Sequence, residues 1–476
     1  MHEPGHRSKG WACAAIFAAA SVVPGAASAS DGGKGVLEVR PNLRLGTPIT
    51  RVRVDGEEGE WAALEKPRAP GKVTIAWTAD GSASDTRAVE VPTCAGRGAV
   101  RVDGQAVATP DAGPLLVPLS PGEHVVSVAL TVSGYEKRIA CGEPPRVGTP
   151  RDEASGLVRF TFPSPHAAAG GGRGVVFLPP NHDAARPGAL LVMTHPWNGS
   201  IWTYAAYAEL LDEAAKRDVV LLFPSGLGNS LYTAPAEDEV LRAIDALEGV
   251  VAVDPARVSI AGASMGGAGA TTIGFHSPDR FASITSLFGD SKYDLSTYVH
   301  AILRDETGAR RVNAMDVVEN ARNVPVWLIH GEDDRVSAIV QSEALAQVMR
   351  QRGFAVRFDR IPGAGHEGAL VARFAREIVA RASELRAATA PARVSYRSVR
   401  AEDHGAYGVT LERVHPGDAF VDVERVEGGL RVHRADNVRA ITLAAGAMGL
   451  RPGCAVARDA EAGDVRVVFA GTAGAQ

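Results

Sequence analysis

The sequence predicts an α/β core with a mostly parallel sheet, set between two β-rich regions. Three observations predict it. Between Ala189 and Arg386, apolar strand-like runs alternate with helical runs, the pattern of a parallel sheet covered by helices on both faces. Residues 31 to about 150 show short stretches of alternating apolar residues punctuated by Pro and Gly, which read as strands and turns. Past Ala390 the helical pattern stops and short alternating strands return. The chain has 476 residues, more than one ordinary domain holds.

The first 29 residues read as a secretory signal peptide. Arg7 and Lys9 supply a positive start, Trp11 to Val23 is apolar, and Ala27-Ser28-Ala29 fits a small-residue cleavage site. The apolar run is short for a bilayer span, which favours cleavage over anchoring. Export to the periplasm, envelope or medium is the expectation, and it makes disulfides possible. Cys94 and Cys141 bracket one predicted β unit and are the preferred pair, which leaves Cys454 over.

Residues 30–148 form the β-rich N-terminal region and contain a weak internal repeat. Val52-Arg53-Val54-Asp55-Gly56 is followed by Pro70-Gly71 and the strand from Lys72. Val100-Arg101-Val102-Asp103-Gly104 is followed by Pro121-Gly122 and the strand from Glu123. Each unit reads as strand, turn, connection, Pro-Gly turn and return strand, so two small sandwich modules are expected. The second unit, ending at Ser133-Gly134-Tyr135, resembles the bacterial PEGA-type surface module over some forty residues. That resemblance implies contact with an envelope or polysaccharide; a structural spacer is the alternative.

Residues 149–390 form the α/β region. Leu157 to Phe162 and Val175 to Pro179 are its first strands. Strands then follow at Ala189 to Thr194, Val219 to Phe223, Val258 to Ala261, Phe281 to Phe288, Val324 to His330 and Ala355 to Ile361. Helices are expected over Tyr204 to Lys216, Ala236 to Leu247, Ala268 to Phe275, Val340 to Gln351 and Leu370 to Arg386. Residues 289 to about 323 are polar and irregular, suited to a small cap or specificity loop. Residues 391–476 form a small C-terminal β domain with strands at Phe420 to Val426, Leu430 to His433 and Val438 to Leu443.

One stretch carries the chemistry. Gly262-Ala263-Ser264-Met265-Gly266 sets a serine on a sharp strand-to-helix turn, where strained backbone pushes the hydroxyl out over the sheet edge and glycines let neighbouring backbone pass. His330-Gly331-Glu332-Asp333-Asp334 places carboxylates on the loop leaving a later strand. Gly363-Ala364-Gly365-His366 places a histidine on the loop after the next one. Loops at the C-terminal ends of parallel strands sit at the ligand edge of the sheet. The chain order Ser, Asp, His suits acyl transfer: Ser264 as nucleophile, His366 as base and acid, Asp334 as the group that orients the imidazole. Asp333 is the rival to Asp334. His195, His276 and His330 read as structural hydrogen-bonding groups.

These stretches, with Asp254-Pro255-Ala256-Arg257 and Ser277-Pro278-Asp279-Arg280-Phe281-Ala282, resemble the α/β-hydrolase superfamily over roughly residues 170 to 390. The resemblance is to secreted bacterial esterases of the feruloyl esterase, acetylxylan esterase and polyhydroxybutyrate depolymerase type, which overlap prolyl-oligopeptidase-like catalytic domains. It implies Asp334 over Asp333 from the spacing to His330-Gly331. It also implies an oxyanion hole with one donor at the Met265 N–H and a second on the loop after the strand ending near Thr194. Relatives often carry His-Gly there, whereas this chain has His195-Pro196, and proline has no N–H. Trp197 then becomes the second donor, with Asn198 as the alternative. Trp197, Trp202 and Tyr204 either line an acyl or aryl pocket or pack the core.

The expected activity is cleavage of a small-molecule or polymer-linked carboxylic ester through an acyl-enzyme. The alternatives are a serine peptidase of the prolyl-oligopeptidase type and a non-catalytic envelope or polysaccharide-binding protein. The formal net charge of -5, without a basic run, argues against nucleic acid as partner. No metal or organic cofactor is implied.

Overall fold

A computed structural model of the chain describes residues 35–38, 42–43, 48–80, 87–92, 94, 97–107, 115–132, 139, 141, 144–148, 150–151, 156–167, 171–180, 182–183, 185–292, 313–403 and 405–470. The signal-peptide reading, residues 293–312 of the expected cap and the last six residues lie outside them.

The centre is a nine-stranded sheet. We number its main strands β1 (Gly156–Phe162), β2 (Gly172–Leu178), β3 (Gly188–Thr194), β4 (Val219–Pro224), β5 (Val253–Ala263), β6 (Ser283–Leu287), β7 (Val326–Gly331) and β8 (Val356–Ile361). Their order across the sheet is β1-β2-β4-β3-β5-β6-β7-β8. β1, β2 and β4 pair antiparallel, and from β4 to β8 every pairing is parallel. The ninth strand, Val36–Glu38, pairs antiparallel with β1 at the sheet's edge. The segment expected to open the N-terminal region is therefore part of the central sheet.

Among the described residues, five helices cover the sheet: α1 (Ala208–Arg217), α2 (Pro235–Glu248), α3 (Met265–His276), α4 (Val340–Gln351) and α5 (Ala369–Glu384). Successive residues of β3 face opposite sides, as the period of two requires. Leu190 and Val192 join a core with Val240 and Ile244 of α2, Ile273 of α3 and Leu345 of α4. Leu191 and Met193 join a second core with Leu210 of α1 and Val371 and Ile378 of α5. Burial on both faces is why β3 and β4 are apolar at nearly every position.

The helix expected over Tyr204 to Lys216 is broken. A 3-10 turn spans Thr203–Ala206, Tyr207 is extended, and α1 starts at Ala208. The cause is Tyr204, whose buried hydroxyl donates to the Thr194 carbonyl (2.8 Å) and accepts the Ala263 N–H (3.0 Å). Tying β3 to β5 fixes Tyr204 in a position that a continuous helix does not supply.

The two N-terminal repeats share one sandwich instead of forming two. Their strands lie in a single six-stranded sheet, with a three-stranded sheet opposite and one core that includes Val52, Ile75, Trp77, Val100, Val126 and Val128. The repeat is nonetheless real in its hydrogen bonds. Asp55 and Asp103 both take left-handed backbone ahead of a glycine, which is the Asp-Gly hairpin turn. Asp55 Oδ1 accepts the Thr74 N–H and Asp103 Oδ1 accepts the Val125 N–H, each at 2.8 Å. A disulfide joins Cys94 to Cys141, and Cys454 is a free, partly buried thiol.

The C-terminal region is a second sandwich of two four-stranded sheets. It docks on the C-terminal end of α3. Tyr396 donates its hydroxyl proton to the His276 carbonyl (3.0 Å), satisfying a group that the helix leaves unpaired. Arg400 bonds both carboxylate oxygens of Glu237 on α2 (2.8 and 3.1 Å) and also Asp403 (2.6 Å), while Glu237 accepts from His276 Nδ1 (2.9 Å). Burial alone raises the Glu237 pKa, yet His276 and Arg400 bring it below the ordinary value. The described end of the expected cap, a turn over Ala314–Asn323, also serves this contact: Asn320 and the Arg397 backbone exchange two hydrogen bonds (3.0 and 2.6 Å).

Removing one partner of a buried charge cluster strands the others without compensation. Arg400→Ala is expected to lower unfolding stability by about 3–5 kcal/mol. Urea denaturation followed by tryptophan fluorescence measures it, and an unchanged midpoint refutes the clamp.

Candidate active site

The loops at the C-terminal ends of β3, β4, β5, β6, β7 and β8 meet at one edge of the sheet. Ser264 ends β5 and precedes α3 with φ 57° and ψ −122°, a conformation L-residues rarely adopt. The turn is held by the Ser264 N–H, which donates to the Leu287 carbonyl (2.9 Å), and by the first helical bond, from the Ala268 N–H to the Ser264 carbonyl (3.0 Å). Two glycines make it possible. A Cβ on Gly262 would meet the Thr194 hydroxyl and the Gly266 backbone, and one on Gly266 would collide with the Thr194 carbonyl. The Thr194 hydroxyl donates to the Gly266 carbonyl (2.6 Å) and lies 3.1 Å from that of Ala261, which locks β3 against the turn.

His366 lies on the loop after β8, Asp334 on the loop after β7. The Ser264 hydroxyl is 2.7 Å from His366 Nε2, and His366 Nδ1 is 2.7 Å from Asp334 Oδ2. The loop after β8 folds over the end of β7 because Gly331 has no side chain to strike the Ala364 carbonyl. Asp334 is buried, whereas Asp333 points to solvent. Asp334 Oδ1 accepts the N–H groups of Val336 (2.8 Å) and Ser337 (2.9 Å). Burial works to raise its pKa, but hydrogen bonds from His330 and His366 and the charge of His366 outweigh that and hold it well below 3.8. Chemically, this line of groups lets the hydroxyl pass its proton to an imidazole whose other nitrogen faces a carboxylate that stays ionised.

Two neighbours complete the site: Phe288, read in the sequence only as the end of a strand, and His330, read there as a structural hydrogen-bonding group. The Phe288 ring meets the His366 ring edge-on, centroids 4.7 Å apart. His330 is fully buried: Ser342 Oγ lies 2.8 Å from its Nδ1, its Nε2 lies 2.8 Å from the Ser337 carbonyl, and the same nitrogen is 3.4 Å from Asp334 Oδ2. A strand-end histidine next to a glycine was the only sequence signal for it. His195, also buried, lies between the carbonyl oxygens of Pro196 (2.8 Å) and Ser225 (2.9 Å). His276 is remote, at the far end of α3.

Met265 is the first residue of α3, so its N–H stands ahead of the intrahelical ladder. Trp197 is partly buried and packs on the core. The Asn198 N–H, the alternative donor, is already engaged by Asn229 Oδ1 at 2.7 Å. Trp202 and Tyr204 are buried among core residues of the α1–α5 face.

A second Ser–His–Asp chain occurs in the N-terminal sandwich, and its geometry differs. His124 Nδ1 is 2.7 Å from Asp103 Oδ2, and its Nε2 is 3.2 Å from Ser120 Oγ. That Nε2 also faces the Ser120 carbonyl at 3.0 Å, and a carbonyl only accepts, so the nitrogen carries the proton and cannot take one from the serine.

The Prolyl oligopeptidase family matches residues 234–385, about a third of the chain. With the strand order β1-β2-β4-β3-β5-β6-β7-β8 and a serine at the β5–α3 turn, the fold is decided. The chain carries an α/β-hydrolase core. Among solved structures, an S-formylglutathione hydrolase from Agrobacterium tumefaciens is 17% identical, with 48% of this chain and 94% of that one covered at a TM-score of 0.42. A ferulic acid esterase is 18% identical over 48% of this chain and 96% of its own, with a TM-score of 0.39. Dipeptidyl peptidase 4 from Porphyromonas gingivalis is 16% identical over 45% of this chain and 34% of its own, with a TM-score of 0.38. No curated protein matches the sequence.

In the hydrolase core, Asp334→Asn preserves shape but removes the charge that faces His366, and the amide can favour the wrong imidazole tautomer. The rate at which a fluorophosphonate modifies Ser264 is expected to fall by about 10⁴-fold. The pH dependence of stability gives an independent check. A carboxylate whose folded pKa is depressed stabilises the protein above its unfolded value, and that gain is lost as pH falls through the folded value. The stability difference between wild type and Asp334→Asn should therefore be full above about pH 4 and close progressively below it. A difference that does not change with pH refutes the assignment.

Proposed function

We propose that the protein is a serine hydrolase that cleaves carboxylic esters through an acyl-enzyme. The observation that carries this reading is the unbroken line from Ser264 Oγ through His366 to Asp334, with 2.7 Å at each link. Ser264 attacks the ester carbonyl while His366 Nε2 takes its proton. Asp334 holds the imidazole with Nδ1–H inward and stabilises the imidazolium. The N–H groups of Met265 and Trp197 stabilise the oxyanion. His366 then protonates the leaving alcohol, and it activates the water that releases the acid.

The substrate is a small or polymer-linked ester of the kind cleaved by feruloyl and acetylxylan esterases. The sequence resemblance supports this. A peptidase is the second reading, favoured by the family match that spans Ser264, Asp334 and His366. Function outside the cytoplasm is part of the proposal. The Cys94–Cys141 disulfide and the N-terminal sequence support it. The flanking sandwiches are proposed to contact envelope or polysaccharide. Among the described residues, no helix is long and apolar enough to cross a membrane.

The test is turnover of a panel of p-nitrophenyl esters, feruloyl esters and aminoacyl anilides by wild type and Ser264→Ala, with fluorophosphonate labelling alongside. We expect ester turnover and labelling in wild type, both abolished in the variant. Preference for the anilides moves the reading to peptidase. A folded wild type with neither turnover nor labelling sinks it.

A further inference from the structure

Asn198 and Asn229 bond each other in both directions. The Asn198 N–H donates to Asn229 Oδ1 (2.7 Å), and Asn229 Nδ2 donates to Asn198 Oδ1 (2.9 Å). The two residues come from different loops, one after β3 and one after β4. Asn198 is the third residue of a tight turn closed by the Gly199 N–H on the Pro196 carbonyl (2.9 Å), and its φ is +59°. Asparagine tolerates that left-handed backbone better than most residues. Trp197 is the second residue of the same turn. The turn follows directly from Thr194 and His195, whose carbonyls lie against Gly266 in the first turn of α3.

The partner loop, residues 225–234, is unusual. Leu227, Leu231, Tyr232 and Ala234 all have positive φ, as do Gly226 and Gly228. Backbone of this kind persists only where its surroundings over-determine it. Here the surroundings are contacts to the β3 loop: His195 reaches the Ser225 carbonyl, the Tyr232 hydroxyl donates to the His195 carbonyl (3.4 Å), and the two rings meet edge-on with centroids 5.8 Å apart. Those three contacts hold the root of the turn, and the asparagine pair holds its tip. Asn229 itself is exposed, so its side chain has no packing role to account for its place.

We propose that Asn229 is a positioning residue for the oxyanion site: through Asn198 it fixes the turn that carries the Trp197 N–H. This rests on the serine hydrolase reading above. The Asn198 N–H is held by Asn229 and is not itself an oxyanion donor. Losing one oxyanion donor outright costs about 10²–10³ in kcat, and a donor that is merely loosened costs less. A bond that matters only once charge develops on the substrate oxygen changes kcat and leaves ground-state binding alone.

The experiment compares wild type, Asn229→Ala and Asn229→Asp on p-nitrophenyl butyrate, with Tm recorded for each. Asn229→Ala is expected to lower kcat about 10-fold, with KM within about twofold and Tm unchanged. Asn229→Asp keeps the acceptor for the Asn198 N–H and should retain kcat within about threefold of wild type. The proposal is overturned by a kcat for Asn229→Ala within twofold of wild type, by an equal loss in Asn229→Asp, or by a loss that tracks a fall in Tm. A wild type that turns over no ester is a different result: it removes the hydrolase reading itself, and the proposal with it.

Discussion

The active-site edge depends on one steric constraint, the contact between the start of α3 and the end of β3. There is no room for a side chain at Gly266, because the Thr194 carbonyl occupies the place of its Cβ. Helix and strand can come this close only if the polar groups between them are satisfied. The Thr194 hydroxyl does this by donating to Gly266, and the Tyr204 hydroxyl by bridging Thr194 and Ala263. The consequence is chemical. The loop after β3 is delivered to the N-terminal end of α3, where N–H groups point outward and the helix dipole favours negative charge. Ser264, the start of α3 and the loop after β3 thus share one corner because glycine stands at positions 262 and 266.

That corner was largely legible in the sequence. Gly262, Ser264 and Gly266 encode a backbone path through residue type, and such signals survive without knowledge of tertiary contacts. The strands were legible for a similar reason: burial on both faces leaves unbroken apolar runs. Asp334 and His366 could be placed because loops after parallel strands must lie at the same edge. What could not be read were effects of partners distant in sequence. The break before α1 follows from Tyr204 reaching Ala263, 59 residues on. Phe288 looked like the end of an apolar strand, and only the fold brings it to His366. The two N-terminal repeats were visible as repeats, but pairing of their long return strands, Gly71–Asp80 with Glu123–Val132, makes them one sheet.

The C-terminal sandwich is bound to the catalytic helix, not merely appended to the core. α3 has Ser264 before its first residue and His276 at its end. Tyr396 and the Glu237–Arg400–Asp403 cluster hold that far end. A helix pinned at both ends cannot slide or tilt freely, so the position of Ser264 is set partly by the C-terminal sandwich.

Backbone strain is distributed to the same end. Among the described non-glycine residues with positive φ, Asp55, Asp103, Asp218 and Asn437 are of the types that bear that conformation cheaply in turns. Most of the others, Leu227, Leu231, Tyr232, Ala234, Ser264 and Phe288, lie at the sheet's C-terminal edge, while Tyr407 and Met448 lie in the C-terminal sandwich. Each costs of order 1–3 kcal/mol and has to be held by its surroundings. The surroundings here are hydrogen bonds between loops of different strands, so no loop can relax alone. A site built this way is shaped before substrate arrives. It meets the developing charge with dipoles already aligned, which is where hydrolytic catalysis of this kind gains most. The strain is therefore the expected counterpart of preorganisation, and the cross-loop bonds that sustain it are as much part of the site as the three side chains in line.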